Sequence, residues 1–305
     1  MKSASNQKVS KIARIAFHTL RAKRIHGVSK IDLRDQEIDA ITSIGTETNY
    51  RPLLQRYLHW RKSLRLSIDG PHLTEHMQEF MDELAESGCD QRYLNSVKQA
   101  LQKAYGVKLQ TVESDVPIIL KSRTYPEGSV AAIVKHQNSQ NGFTTRLCWE
   151  SGLRAHESFT LERACDLEPS SHRAWDSRRF AFMKPAVIYS VRGKGGLARN
   201  VAISTELAAE LELRRLPKPV LRRSRGINYL SQYDIGGGAS YSQSFSEASK
   251  KALGYSHGAH GLRHSYAQRR LQDLKAGGID TLSAMLILSQ ELGHFRPDIV
   301  LAYLR

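Results

Sequence analysis

Near the end of the printed sequence lies a set of side chains whose types suit the cleavage of a phosphodiester by a tyrosine. His260 lies three residues before Arg263, and Leu292-Gly293-His294 is followed by Tyr303. A tyrosine hydroxyl is a weak nucleophile at its ordinary pKa of about 10, so a neighbouring group must help to remove its proton. The attacked phosphate gathers negative charge that fixed cations stabilise, and the departing sugar oxygen needs an acid.

Two further positive charges upstream complete the set that this chemistry needs. Arg154 lies in the run Ser151-Gly-Leu-Arg-Ala-His-Glu157, and Lys194 lies between Gly193 and Gly195. A guanidinium can bind two phosphate oxygens at once, and a lysine in a turn can protonate a leaving oxygen. Taken singly, each residue has an ordinary interpretation, such as a salt-bridged Arg154 or a solvated Lys194. Their occurrence together in one chain favours the chemical interpretation.

Zinc-binding and nucleotide-binding interpretations of the same residues are weaker. The spacing of His257, His260 and His264 makes a zinc site conceivable, but Gly261 stands where the zincin pattern has a glutamate, and no cysteine is nearby. The glycines around Lys194 do not form a phosphate loop, because no serine or threonine follows the lysine and no glycine lies five residues before it. We therefore expect neither a metal ion nor another cofactor.

The composition favours a polyanionic partner and gives no sign of a membrane. The 305 residues include 45 Lys and Arg against 30 Asp and Glu, a formal charge of +15. No run approaches the ~18 apolar residues of a membrane span, and the N-terminal stretch lacks the apolar segment of a secretory signal. The three cysteines, Cys89, Cys148 and Cys165, have no paired spacing and indicate reduced thiols. We therefore expect a cytoplasmic protein of a bacterium or phage.

Apolar spacing and turn residues predict a fold of the α+β class that is mainly helical with a small β-sheet or hairpin. Residues 1–45 are expected to form a basic N-terminal arm with one helix, and residues 46–112 a small helical domain. Residues 113–128 contain prolines and charges and are interpreted as a linker, and residues 129–305 as the second domain.

Two segments of the second domain are of special interest. Short β-prone runs at 187–191 and 200–203 flank the Gly-rich segment of Lys194 and predict a β-hairpin with this lysine at its tip. The run 214–225 is rich in arginine and contains Pro217 and Pro219, and we interpret it as an extended basic loop.

These landmarks give the second domain a resemblance to the catalytic domain of the tyrosine recombinase (phage integrase) family. The residues that carry the resemblance occur in the family's order and are Ser151-Gly-Leu-Arg154-x-x-Glu157, Gly193-Lys194-Gly195 with the later Arg199, His260-Gly-Leu-Arg263-His264, and Leu292-Gly293-His294 with Tyr303. By motif the resemblance covers about residues 126–305. The helical domain before it fits the family's core-binding, SAM-like domain by size and helix count alone.

The resemblance implies a site-specific DNA recombinase that cleaves and rejoins strands through a 3′-phosphotyrosine, without metal or ATP. In that scheme Tyr303 attacks the phosphate, Arg154 and Arg263 clamp its non-bridging oxygens, and Lys194 protonates the leaving 5′ oxygen.

Three further residues receive supporting roles from the same resemblance. His260 and His294 hydrogen-bond the phosphate or the nucleophile and help to move its proton, and Glu157 orients Arg154 or its helix. The two arginines supply the charge that a metal would supply elsewhere.

Basic residues outside this set are candidates for contacts with the DNA backbone, which supply affinity rather than sequence choice. A solvated basic face is the alternative for each group. The candidates are Arg51, Arg56, Arg61, Lys62 and Arg65 in the helical domain, and Arg199, Arg222, Arg223 and Arg225 in the second.

The expected partner is double-stranded DNA that carries a recombination site. The resemblance implies a homo-tetramer on two sites, accessory DNA-bending or directionality proteins, and a nucleoid-associated product of a mobile element. Only Leu304 and Arg305 follow Tyr303 in the printed sequence, whereas many relatives continue into a helix that docks on a neighbouring protomer. Two alternatives stay open: a type IB topoisomerase-like nicking and resealing enzyme, and a DNA-binding regulator that has lost the chemistry.

Overall fold

The computed structural model describes residues 10–25, 28, 33, 36, 38–117 and 121–304, apart from the side chain of Lys194. The chain divides into two compact units, residues 1–119 and 120–305. The division falls inside the segment that we interpret as a linker, and the finer domain boundaries stay predictions.

The described part of the first unit is helical. Its helices are α1 (Lys11–Ala22), α2 (Ile44–Ser63), α3 (Thr74–Glu86) and α4 (Gln91–Tyr105). Ser10, Ser43 and Asp90 precede three of these helices, and each accepts a hydrogen bond from the backbone N–H three residues later, as an N-cap does.

One apolar core joins these helices. Ile12, Ala16 and Leu20 lie on one face of α1 and are buried in the same core as Leu54 and Leu94. Each fully buried leucine or isoleucine side chain contributes about 1.5–3 kcal/mol of transfer free energy. Helix α1 therefore packs in the apolar core of the first unit.

The second unit mixes helices with two small antiparallel sheets. Its elements are α5 (Glu127–Val134), α6 (Ser139–Ser151), β1 (Glu162–Arg163), β2 (Ala186–Arg192), β3 (Ala198–Ser204), α7 (Thr205–Leu213), β4 (Arg215–Ser224), β5 (Ile227–Tyr233), α8 (Gly238–Leu253), α9 (His260–Ala276), α10 (Thr281–Glu291) and α11 (Asp298–Leu301). Among the described residues, no helix is long and apolar enough to cross a membrane.

The predicted β-hairpin around Lys194 is confirmed. Strands β2 and β3 pair from Ala186 opposite Ser204 to Arg192 opposite Ala198, and β1 adds a third strand beside β2. Residues Lys194–Gly196 form a short 3₁₀ turn at the tip of this hairpin.

The basic run 214–225 differs from the extended loop that we expected, because most of it is strand β4, paired with β5. The connection is a two-residue turn in which Arg225 has φ 50° and Gly226 has φ 77°. Two successive positive φ angles are typical of a type I′ turn, which matches the twist of paired strands. The prolines fall where the register shifts between Arg215 and Val220, so they interrupt no regular ladder there.

Helix α9 lies between two apolar clusters of the second unit. Leu262 belongs to a cluster built from α5, α6, α8 and the sheet, whereas Tyr266 and Leu274 belong to a cluster with α10 and α11. The last described helix, α11, is only four residues long. It ends at Leu301, so Tyr303 lies in the turn that follows.

Candidate active site

Arg154 is placed by the way in which α6 ends. Gly152 follows this helix with φ 66°, and a Cβ atom there would lie 2.5 Å from the ring of Tyr266. Only glycine satisfies both the left-handed backbone and this close approach. The chain turns there and brings Arg154 beside Glu157.

Glu157 is fully buried and joins two of the site's arginines. Its Oε1 accepts from Arg154 Nη1 at 2.6 Å, and its Oε2 accepts from Arg199 Nη2 at 2.7 Å. The backbone N–H of Arg154 also donates to Oε2, at 2.8 Å. Burial by itself raises the pKa of this carboxyl, but the charges of Arg199, Arg154 and Arg263 outweigh it and hold the pKa well below its usual range. Glu157 is therefore a charged residue that holds the arginines in place.

Arg263 lies on the first turn of α9 and is fully buried. Its Nη1 donates to the carbonyl of Gly152 at 2.5 Å, its Nη2 to the carbonyl of Leu292, and its Nε to the hydroxyl of Tyr303 at 3.3 Å. Burial, and then the charge of Arg154, lower the pKa of Arg263 to about 10, so it stays charged near neutral pH. In this geometry Arg263 holds the tyrosine oxygen and two main-chain segments together.

The Tyr303 hydroxyl lies between an acceptor and a donor. It is 3.0 Å from Nε2 of His294 and 3.3 Å from Nε of Arg263, and the side chain is only 5% exposed. Nε2 of His294 is also 3.1 Å from Nη2 of Arg154. Since a guanidinium has no acceptor, Nε2 must be the unprotonated nitrogen of a neutral ring, with the proton on Nδ1. The Tyr303 hydroxyl then donates a hydrogen bond to Nε2, whose single lone pair it shares with Arg154 Nη2, and it accepts from Arg263 Nε.

The electrostatics of the site keep both sequence-predicted histidines neutral near pH 7. Desolvation, followed by the charges of Arg263 and Arg154, lowers the pKa of His294 to about 4. Desolvation of the ring, followed by the charges of Arg263 and His264, lowers the pKa of His260 to about 3, although part of this residue remains exposed at the surface. A neutral imidazole beside a phenol can accept its proton.

His264 is a residue of the site to which our sequence analysis gave no catalytic role. It is 2% exposed, and its ring centroid lies 4.9 Å from that of Tyr303, closer than His260 at 5.8 Å. The signal for it is the helical spacing of four residues after His260, which places both rings on one face of α9. His264 therefore packs under the tyrosine ring.

Lys194 is the one predicted catalytic residue whose side chain lies outside the description. Its backbone lies at the tip of the β2–β3 hairpin, as the sequence predicts. The approach of its amino group to the site stays a prediction.

The structure separates the candidates for DNA contact. Two of them are corrections, because Arg61 and Arg199 are 2% and 1% exposed. Arg61 donates to the carbonyls of Ser67 and Pro71, and Arg199 pairs with Glu157, so their charges serve the interior.

The remaining candidates differ in their partners. Arg51 pairs with Glu47, and Arg222 pairs with Asp234. The candidates with exposed side chains are Arg56, Lys62, Arg65, Arg223 and Arg225. Within the described ranges, no group of three or more His, Cys, Asp or Glu residues could hold a metal ion.

Comparison with known proteins places this site in a recognised fold. Two complexes of the XerH site-specific recombinase with its difH substrate superpose on this chain with TM-scores of 0.55 and 0.52, each at 14% identity. The post-cleavage complex covers 96% of this chain and 90% of that one, and the pre-cleavage complex covers 100% and 97%. The chain has the fold of a site-specific tyrosine recombinase. No family model and no curated protein matches the sequence.

This likeness confirms the predicted fold class, a mainly helical α+β fold with small antiparallel sheets. The structural neighbours extend over both units of the chain, so the similarity is not confined to the segment that carries the motifs.

Proposed function

We propose that the protein is a site-specific DNA recombinase that cleaves and rejoins strands through a 3′-phosphotyrosine intermediate. The observation that carries this proposal is the position of the Tyr303 hydroxyl between a neutral His294 and a buried Arg263. A phenol held in this way has a base for its proton and a cation for its developing charge.

The chemistry divides among the residues of the site as follows. Tyr303 gives its proton to Nε2 of His294 while its oxygen forms a bond to the phosphorus. The bond from phosphorus to the 5′ oxygen breaks, and Lys194 gives that oxygen a proton. Reversal of these steps by another 5′ hydroxyl rejoins the strand, and the phosphotyrosine conserves the bond energy, so no ATP is required.

The two arginines have different roles in this proposal. Arg154 has a side chain that is 20% exposed. It uses Nη1 on Glu157 and Nη2 on His294, so its other N–H groups are available to the non-bridging phosphate oxygens. Arg263 is buried with its N–H groups on two carbonyls and on Tyr303, which suits stabilisation of the phenolate. The expected clamp of the phosphate by both arginines stays part of the proposal, and the contact of Arg263 with Tyr303 adds a role at the nucleophile. We assign His260, which is exposed, a hydrogen bond to the phosphate.

The excess of positive charge supports an anionic ligand at this site. Arg154, Arg199 and Arg263 surround one carboxylate, Glu157, and leave a local surplus of two positive charges. This surplus takes the part that a metal has in other phosphoryl-transfer sites. Assembly of four copies on two DNA sites and the action of accessory proteins rest on the family resemblance and belong to the proposal.

Conversion of Tyr303 to Phe tests the proposal directly. The substrate is a duplex chosen by searching the DNA that flanks the coding region for paired inverted repeats. It is nicked beside the cleavage point, and the readout is a protein–DNA adduct on a denaturing gel. We expect wild type and the control Tyr255→Phe to form the adduct, and Tyr303→Phe to bind the DNA without forming it. An adduct that persists in Tyr303→Phe contradicts the assignment.

The same assay separates the alternatives. An adduct on any nicked duplex, with relaxation of plasmids that lack the repeats, indicates a topoisomerase-like enzyme. Binding without any adduct by wild type indicates an inactive regulator.

The role of Lys194 is tested with a substrate whose leaving 5′ oxygen is replaced by sulfur. A 5′-bridging sulfur leaves without a proton, so this substrate is expected to restore cleavage to Lys194→Ala.

A further inference from the structure

The long connection between β1 and β2 contains a segment, residues 170–180, that touches two parts of the site. We call this segment the strap. At its start, Ser170 N–H donates to the carbonyl of Ala198 at 3.0 Å, and Ser170 Oγ accepts from Ala198 N–H at 3.0 Å. Ala198 is the first residue of β3, directly after the turn that carries Lys194. One end of the strap is therefore fixed beside the tip of the β2–β3 hairpin.

The other end of the strap is bonded to the last turn of α10. The backbone N–H of Asp176 donates to Oε1 of Gln290 at 2.7 Å, and that of Phe180 donates to Oε1 of Glu291 at 2.9 Å. These two acceptors directly precede the run Leu292-Gly293-His294. The strap thus connects the hairpin of the proposed acid with the turn of the proposed base.

Trp175 packs on the residue that follows His294, the proposed general base. Its ring centroid lies 4.7 Å from that of Phe295, the residue after His294, and Arg179 stacks on Trp175 with its Cζ atom 4.3 Å from the centroid. The indole N–H donates to the carbonyl of Ser170 at 3.0 Å, which fixes the ring to the start of the strap. Trp175 is therefore held from inside the strap and packs outward on Phe295.

The backbone of Phe295 shows why such a contact matters. Its φ is 58°, a left-handed conformation that costs a non-glycine residue about 1–3 kcal/mol unless the surroundings hold it. Trp175 on its ring, with Arg173 5.0 Å from the same centroid, supplies that hold. If the ring contact is lost, Phe295 is free to return to an ordinary conformation, and this change moves His294 away from Tyr303.

We propose that Trp175 is a positioning residue, which holds the strained Phe295 and thereby keeps Nε2 of His294 on the nucleophile, while the strap ties this turn to the Lys194 hairpin. The inference rests on the proposed function for its role in cleavage. It extends the site to a segment that lies outside the residues that carry the family resemblance.

The test compares Trp175→Ala with Trp175→Phe, which keeps an aromatic ring against Phe295. The matched control is Phe182→Ala, an aromatic just beyond the strap that is 58% exposed and packs at Gly277. We expect Trp175→Ala to slow adduct formation by about 10-fold or more, because small misplacement of a catalytic group is costly, with DNA affinity unchanged. Trp175→Phe is expected to recover most of the rate, and Phe182→Ala to keep it.

A titration of the His294 ring by NMR in the DNA-free protein supplies a readout that needs no cleavage. In wild type the ring is held beside Arg154 and Arg263, and in Trp175→Ala its pKa is expected to rise towards the ordinary value of about 6.5. An unchanged titration in a folded Trp175→Ala overturns the inference, as does adduct formation at the wild-type rate. If wild type forms no adduct, the proposed function fails, and the titration alone still decides whether Trp175 positions His294.

Discussion

Two buried glutamates of the second unit lie among arginines, and they differ in how their charge is balanced. Glu291 pairs with one arginine, Arg270, whose Nε and Nη2 lie 3.0 and 3.1 Å from its two oxygens. Glu157 lies among three arginines, with the nearest contacts at 2.6 and 2.7 Å. Both carboxylates are inaccessible to water, but one cluster is neutral and the other carries a surplus of positive charge.

The pKa values of the arginines reflect this difference. Burial lowers the pKa of both Arg263 and Arg270, but at Arg270 the charge and hydrogen bonds of Glu291 outweigh burial and raise it. At Arg263 the repulsion from Arg154 adds to burial, and the pKa falls to about 10. Removing one partner of a balanced buried pair leaves an uncompensated buried charge, whereas an unbalanced cluster is a candidate site for an anion.

The largest effect should come from breaking the balanced pair. Arg270→Met leaves Glu291 charged and buried without its partner, and we expect a loss of about 3–5 kcal/mol in the free energy of unfolding. Denaturant unfolding of the full chain measures it. Adding Glu291→Gln, which removes the charge but keeps an acceptor for the Tyr266 hydroxyl, should restore part of the loss. A single variant as stable as wild type would show that the pair contributes little.

The three arginines around Glu157, namely Arg154, Arg199 and Arg263, form what we call the surplus cluster. Removing one of them should slow the reaction more than it lowers the stability of the fold. Arg263→Met relieves repulsion at Arg154, so the stability loss is expected to be limited to the two carbonyl bonds, about 1 kcal/mol each. Adduct formation should fall by about 10²–10³-fold, the usual cost of losing one donor to a developing oxyanion. Equal losses of stability for Arg263→Met and Arg270→Met would remove the distinction between the clusters.

Much of the surplus cluster could be predicted from sequence because its residues have fixed spacing along the chain. The order of Arg154, Lys194, Arg263, His294 and Tyr303 points to one chemistry, and the glycines around Lys194 predict the hairpin that carries it. What spacing could not show is which arginines are buried. Arg61 and Arg199 have the same sequence signature as a surface arginine, and only tertiary packing makes them internal.

Strand β4 and the strap could not be predicted from sequence either, because both depend on contacts between distant parts of the chain. Pro217 and Pro219 argue against a strand, yet β4 forms because the ladder shifts register beside them. The strap has no periodicity of its own, because its backbone bonds go to side chains of a distant helix, such as Gln290. Such pairings depend on long-range contacts, which a local pattern cannot predict.

A smaller effect is expected from pH. The groups that face His294 are Arg154, Arg199, Arg263, Glu157 and Tyr303, and the net positive charge with burial holds its pKa at about 4. The acid limb of adduct formation should therefore have its midpoint nearer pH 4 than 6.5. A midpoint near 6.5 in wild type would mean that the ring is solvated when the reaction starts.

The lowered pKa of His294 also makes the folded state more stable at neutral pH than at acid pH. Between about pH 4 and 6.5 the unfolded chain binds more protons at this histidine than the folded chain does. The contribution is complete above about pH 6.5 and is lost as pH falls through about 4. Chemical denaturation of wild type and His294→Gln across this range measures it, and the two curves should converge at the acid end.

The smallest effect is expected on the salt dependence of DNA binding, from surface arginines that have no carboxylate partner. Arg223 and Arg225 are exposed at the end of the β4–β5 hairpin, whereas Arg222 on the same strand pairs with Asp234. Each phosphate that a cation neutralises contributes about 0.9 to the slope of log affinity against log salt. Changing both exposed arginines to alanine should flatten the slope by up to about 1.8, and Arg222→Ala by less, because Asp234 already offsets its charge.

Arg146→Ala is the matched control for this measurement, since Arg146 is also exposed but pairs with Glu210 at 2.5 Å. Its slope should equal that of wild type, because a cation already balanced by a carboxylate releases few counterions from DNA. If the double variant at Arg223 and Arg225 also keeps the wild-type slope, the hairpin end does not contact phosphates. The same measurement on alanine variants of other exposed cations, such as Arg56, Lys62 and Arg65 of the first unit, would then locate the phosphate contacts.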